Sequence, residues 1–324
     1  MSANSKIEWT DHTFNPWIGC TKVSPAGCKN CYAEDWAKRY GRDFAARTRT
    51  SEANWKMPLR WNAQADAFRA QHGRRQRVFC ASLADVFDNQ VPQLWRTSLF
   101  GMIHDTPNLD WLLLTKRIGN AAAMLRSDPP EGVDMAELPN LWLGATICTQ
   151  EEADRDIPKL LRVPARVRFL SIEPLLGPVS RLMFDSEEPS LVDWVIVGGE
   201  SGPQARPMHP DWVRSLRDQC ALSGVPFFFK QWGEWKPISH MPEHEHGALY
   251  RSRVKAQPHE DQGALDEICG RDCTVQYGVV HTDGSLHEPL EPMAFIAGAM
   301  TTFKVGKKAA GRLLDGRTWD EVPQ

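Results

Sequence analysis

No run of apolar residues in the 324-residue sequence approaches the ~18 needed to span a bilayer, so no helical membrane anchor is expected. The stretch from Met1 to Thr10 has no apolar core and carries Lys6 and Glu8, so it does not read as a secretion signal, and the expected compartment is the cytoplasm. Charge of neither sign is in excess: 38 Lys+Arg stand against 41 Asp+Glu. That balance argues against a globally basic nucleic-acid coat protein, though not against a local basic patch. Internal repeats and low-complexity tracts are absent as well. What remains is ordinary globular material, 42% hydrophobic and 24% charged, long enough for one large domain or two modest ones.

The clearest pattern is a series of short apolar runs: Val78–Leu83, Trp111–Thr115, Leu141–Ile147, Val167–Ile172, Trp194–Val197 and Val225–Phe229. Strands buried on both faces read as continuous runs like these. Between them lie helix-like segments over 93–105, 119–126, 151–161 and 210–223. Strand–helix alternation implies parallel pairing through right-handed crossovers. With a short strand at Trp17–Ile18 ahead of them, the expected fold is α/β, a partial TIM-type (β/α)6-7 barrel over residues 1–235. The runs end in polar residues: Asp85 and Asp88, Lys116 and Arg117, Thr146, Glu173, Gly198-Gly199-Glu200-Ser201, and Lys230-Gln231. In a parallel barrel the C-terminal strand ends form the site, so chemistry is expected there, with Asp85 and Glu173 as candidate catalytic carboxylates.

Residues 36–77 read as a basic helical insertion, with Trp36, Tyr40, Trp55 and Trp61 interleaved among eleven Lys and Arg. Cations with aromatics suit phosphates and unstacked bases, which makes Arg74, Arg75 and Arg77 candidate nucleic-acid contacts; a solvated helical hairpin explains the same composition. Residues 236–292 read as a loop-rich appendage, in which His240, His244, His246, Cys269 and Cys273 match no usual zinc spacing. Residues 293–324 read as a helical tail packed on the barrel.

Among the eight cysteines, three lie close together: Asn15-Pro-Trp-Ile-Gly-Cys20, seven residues, then Cys28-Lys-Asn-Cys31-Tyr-Ala-Glu34. In a reducing compartment such clustering points to metal or catalysis. Three thiolates need a distant fourth ligand to complete a structural zinc site. They can also hold three irons of a [4Fe-4S] cube, leaving the fourth iron open to an outside ligand.

NPWIGC…CKNCYAE resembles the NPYRGC…CxYCYAR signature of the spore-photoproduct-lyase-like branch of the radical S-adenosylmethionine (radical SAM) enzymes, with a first gap of seven residues where that branch has three. The opening IEWTDHTFNPWIGC, the SIEPLL and VGGESG segments and the closing KKAAGRLLDGRTWDE are similar to the phage Gp37/Gp68-like (DUF5131-type) family over most of the chain. The radical SAM resemblance implies Cys20, Cys28 and Cys31 as ligands of a [4Fe-4S] cluster. It implies Lys116, in a TKR resembling that branch's TKS, at the SAM carboxylate, and Thr146 at the methionine moiety. Gly198-Gly199-Glu200, with Ser201, resembles the GGE segment that meets the SAM amino group, though it comes late in the chain. It further implies reductive cleavage of SAM, hydrogen abstraction from a substrate, and a reductase or flavodoxin-type electron donor. With the basic segment, the expected substrate is a nucleic-acid base or nucleotide. Cys148 is a candidate relay thiol or plain packing, and Trp17, Trp111, Trp142 and Trp232 are candidates for a dry mouth or plain core. The alternative is a non-catalytic nucleic-acid-binding protein with a structural zinc. A conventional SAM-dependent methyltransferase is disfavoured, because no glycine-rich loop follows an early strand.

Overall fold

The structure is a computed structural model that describes residues 2–3, 5–182 and 192–323. Its first ten strands are β1 (Ser2–Ala3), β2 (His12–Thr13), β3 (Trp17–Ile18), β4 (Thr48–Arg49), β5 (Gln76–Cys80), β6 (Leu109–Thr115), β7 (Leu141–Thr146), β8 (Val167–Ile172), β9 (Trp194–Gly198) and β10 (Phe227–Gln231). Helices α1 (Tyr32–Arg39), α2 (Glu52–Trp55), α3 (Met57–Ala63), α4 (Ala65–His72), α5 (Gln93–Asp105), α6 (Ile118–Ser127), α7 (Gln150–Leu161) and α8 (Pro210–Leu222) lie between them. The strands and helices expected before residue 235 all form, shifted by a few residues at their ends.

Eight strands make one sheet in the order β1-β2-β5-β6-β7-β8-β9-β10. Only the β1–β2 pair is antiparallel; β2 and β5–β10 form seven parallel strands curled into a half-barrel. The first parallel strand is therefore β2, not Trp17–Ile18, which pairs antiparallel with β4 outside the main sheet. The basic segment is helical, but it is the crossover from β2 to β5 rather than an addition to the barrel.

Side chains alternate across each strand, so the sheet has two apolar faces. Val78, Trp111, Leu143, Leu170, Val195 and Phe227 face the helices, with Leu99, Ile103, Ile157 and Leu216 in one core. Phe79, Leu112, Trp142, Phe169, Trp194 and Phe228 line the concave face around Trp9, whose ring lies 4.8 Å from Phe79 and 6.2 Å from Trp194. Trp142 and Trp194 come at the first or second positions of their strands, so this cluster fills the N-terminal half of the concavity. The C-terminal half is left open.

The rest of the chain holds β11 (Trp235–Pro237), α9 (Glu243–Gly247), β12 (Tyr250–Ser252), α10 (Gln262–Cys269), β13 (Arg271–Cys273), β14 (Tyr277–Val280), β15 (Leu286–His287), β16 (Met300–Lys304) and α11 (Lys307–Ala310). Residues 236–292, expected to be loop-rich, and 293–324, expected to be a helical tail, instead share an antiparallel sheet, β11-β16-β14-β15, and among its described residues the tail keeps only the four helical residues of α11. His246 packs its ring 5.3 Å from Phe303. The tail closes the β10 edge: Phe229 N donates to Trp319 O at 2.9 Å, and Trp194 Nε1 to Glu321 O at 2.8 Å. Covering an exposed strand edge in this way blocks pairing with other chains. No helix among the described residues is long and apolar enough to cross a membrane.

Candidate functional site

A cavity of about 520 Å³ opens at the C-terminal ends of the parallel strands. Trp9 and Phe79 contribute apolar surface to it. Cys20, Cys28 and Cys31 enter from the loop joining β3 to α1, and the strand ends add Asp85, Thr115-Lys116-Arg117, Thr146, Ser171, Glu173, Gly199-Glu200-Ser201 and Lys230-Gln231. Lys307 reaches in from α11, and Tyr32 from the first turn of α1.

The seven residues between Cys20 and Cys28 are fastened by groups from three strand ends. Arg117 Nη2, after β6, donates to Thr21 O at 2.9 Å, and its Nη1 lies 3.7 Å from Cys20 Sγ. Ser24 Oγ donates to Glu152 Oε1 at 2.5 Å and accepts from Gly27 N at 2.9 Å. Glu152 also caps the start of α7, accepting from Cys148 N at 2.8 Å. Arg206 Nη2, beyond β9, donates to Ala26 O at 2.9 Å. Burial pushes the Cys20 thiol up to about 12, with Asp85 adding to the shift and Arg117 opposing it.

Each carboxylate of the site is engaged by protein groups. Asp85 accepts from Thr115 Oγ1 at 2.7 Å, Lys116 N at 3.0 Å and Phe87 N at 3.0 Å, so it positions the turn after β6. Glu200 accepts from Arg206 Nε at 2.8 Å and Nη2 at 2.6 Å, and from Asn30 Nδ2 at 3.1 Å. It thus ties β9 to the cysteine loop, with its oxygens turned to protein donors. Glu173 pairs with Lys230 at 2.9 Å. Gly198 and Gly199 make room: a Cβ would lie 2.5 Å from Glu173 Oε1 at the first and 2.0 Å from Trp232 O at the second.

Lys116 is different. Its ammonium is half-buried in the cavity and has no hydrogen-bond or ion-pair partner among the described residues. The Thr146 hydroxyl beside it is likewise without a protein partner.

Other expected site residues lie elsewhere. Cys148 is buried behind the loop, its Sγ 2.5 Å from where a Gly27 Cβ would stand, and burial pushes its thiol up to about 12. Arg74, Arg75 and Arg77 sit at the opposite, N-terminal edge of β5. Arg74 forks onto Asp11 at 2.6 and 2.9 Å, Arg75 pairs with Asp110 at 3.6 Å, and Arg77 is buried over the rings of Trp142 and Trp194. Trp17, Trp111, Trp142 and Trp232 are core rings. Ser24, Asn30, Glu152 and Arg206 escaped notice because their roles arise from contacts distant in sequence. Only Glu152 had a local signal, the Thr149-x-x-Glu152 capping pattern.

The family described as a protein of unknown function (DUF5131) matches residues 4–323. The chain belongs to the DUF5131 family. No curated protein and no solved structure gives a significant match to it.

In this DUF5131 chain, no three His, Cys, Asp or Glu side chains among the described residues converge closely enough to hold a single ion. The three cysteines nevertheless face one cavity, with Arg117, Lys116 and Lys22 around them. Thiolate ligands on separate irons of a cube stand further apart than ligands sharing one ion. Three thiols opening on one cavity with cations nearby are a donor set that suits three irons of a cluster or, with a fourth ligand, a structural zinc.

Proposed function

We propose that this protein is a radical SAM enzyme in which Cys20, Cys28 and Cys31 hold a [4Fe-4S] cluster and Lys116 meets the SAM carboxylate. The observation that carries this is the single cavity shared by the three thiols and the unpartnered Lys116 ammonium. A half-buried cation without a counter-ion favours an anionic ligand group at that point. When bound, the two cofactors supply one-electron reductive cleavage of SAM and a radical that takes a hydrogen atom from the substrate.

The protein's part is binding, orientation and exclusion of water. Arg117 stands where it offsets negative charge on the Cys20 sulfur. Asp85 fixes the backbone that carries Lys116, and Thr146 offers a free hydroxyl next to it. The Asn30–Glu200–Arg206 network keeps Cys28 and Cys31 in place, while Trp9 and Phe79 supply a dry apolar wall. The substrate class we favour is a nucleic-acid base or nucleotide, and the electron donor a reductase or flavodoxin-type protein.

Anaerobic purification with iron and acid-labile sulfide analysis tests the cofactor. A brown protein with about four irons per chain is expected. A colourless protein holding one zinc and no iron overturns the proposal in favour of a structural metal site.

A further inference from the structure

Residues 32, 36 and 40 of α1 and its C-cap are Tyr32, Trp36 and Tyr40. Positions four apart stack along one face of a helix, so these rings form a stripe about 12 Å long. It begins at the cavity, which Tyr32 lines, and ends outside it. Tyr32, whose hydroxyl donates to Ser82 O, is 57% exposed and Tyr40 62%, so both rings present surface to solvent. The Trp36 and Tyr40 centroids are 4.8 Å apart, and the Arg42 guanidinium lies 6.0 Å from the Trp36 centroid. Arg39 and Arg42 are exposed and have no ion-pair partner among the described residues, whereas Lys38 is held by Glu34 at 3.1 Å. Asp35 is the acid on the same side of the helix.

From this juxtaposition we infer that α1 is a platform for single-stranded nucleic acid, whose bases stack on Tyr32 and Tyr40 while Arg39 and Arg42 meet its phosphates, leading a base to the cavity. Stacking rings flanked by free cations are what single strands require, whereas a duplex hides its base faces. The inference rests on the proposed function for what happens to the base, but not for its binding. It also moves the nucleic-acid contact from Arg74 and Arg75, held by Asp11 and Asp110, and Arg77, laid across Trp142 and Trp194, to the helix that begins at the third cysteine.

The test is fluorescence anisotropy of the full chain with fluorescein-labelled 12-mers of oligo(dT) and oligo(rU), with a 12-base-pair duplex as control. Binding to at least one single strand in preference to the duplex is expected, and the preferred oligomer tells DNA from RNA. Tyr40→Ala is expected to weaken it at least about fivefold, with Tyr40→Phe retaining it. The double change Arg39→Gln, Arg42→Gln is expected to flatten the dependence of log Kd on log salt by about 1.4. Tyr40 is exposed and its removal leaves the core untouched, so folding is checked simply by circular dichroism. No binding to either strand, equal binding to duplex, or binding indifferent to Tyr40→Ala overturns the inference. Because the readout needs no SAM cleavage, its failure is separable from that of the radical chemistry.

Discussion

The Asn30 amide, lying between the second and third cysteines, donates to Glu200 at 3.1 Å across 170 residues of sequence. Glu200 is buried, and its remaining acceptor sites are filled by Arg206, which in turn holds Ala26 O. One carboxylate therefore fixes both ends of the segment from Ala26 to Asn30. Replacing it with Ala leaves Arg206 without its counter-ion, a loss of about 1–3 kcal/mol. Glu200→Ala is thus expected to lower the thermal midpoint and to reduce iron retention, both partly restored in Glu200→Gln. Unchanged iron content in Glu200→Ala contradicts the positioning role.

Lys116 gives the opposite pattern. Its ammonium has no partner to lose among the described residues, so Lys116→Met is expected to leave the unfolding free energy within about 0.5 kcal/mol of wild type or to raise it slightly. SAM affinity, measured by calorimetry, is expected to fall about tenfold or more, the scale of one charge-assisted hydrogen bond. A large stability loss without an affinity change would place the lysine in the framework instead.

Trp9 closes the concave face among Phe79, Phe169 and Trp194. Trp9→Ala is expected to cost about 3–5 kcal/mol in chemical denaturation, because a buried ring among Phe79, Phe169 and Trp194 leaves a large cavity. A cost below about 1 kcal/mol contradicts its place at the centre of the concave-face cluster.

Much of this was legible in the sequence, and the exceptions have physical causes. β5 to β10 showed as continuous apolar runs because helices cover one face and the Trp9 cluster the other. β2 did not, since His12–Thr13 is two polar residues, and the apolar Trp17–Ile18 took its place by default. The antiparallel sheet stayed hidden because its strands are two to five residues long and half exposed, which leaves no run to detect. Arg77 looked like a surface cation because composition cannot show that a guanidinium lies across two tryptophans. The cavity followed from the strand-end rule, but the groups that engage Asp85 and Glu200, such as Thr115 and Asn30, lie too far off in sequence to be read from it.

Asp315 ties the tail to α8 through Arg214 and Arg217, each at 2.7 Å. The hydrogen bond from Arg214 holds the Asp315 carboxyl down to about 2, below its ordinary 3.8. A depressed carboxyl stabilises the fold fully above its unfolded value and loses that contribution as pH falls toward the folded one. Stability is therefore expected to decline between about pH 4 and pH 2 by no more than about 1 kcal/mol from this partly exposed group. Asp315→Asn is expected to flatten that part of the denaturation profile, and an unchanged acid limb contradicts the assignment.

The central claim is tested most directly by incubating anaerobically reconstituted protein with SAM and dithionite and quantifying 5′-deoxyadenosine and methionine. Wild type is expected to form both in equal amounts, and Cys20→Ala, Cys28→Ala and Cys31→Ala to form neither. Iron-loaded wild-type protein that leaves SAM intact, or a cysteine variant that still cleaves it, contradicts the account.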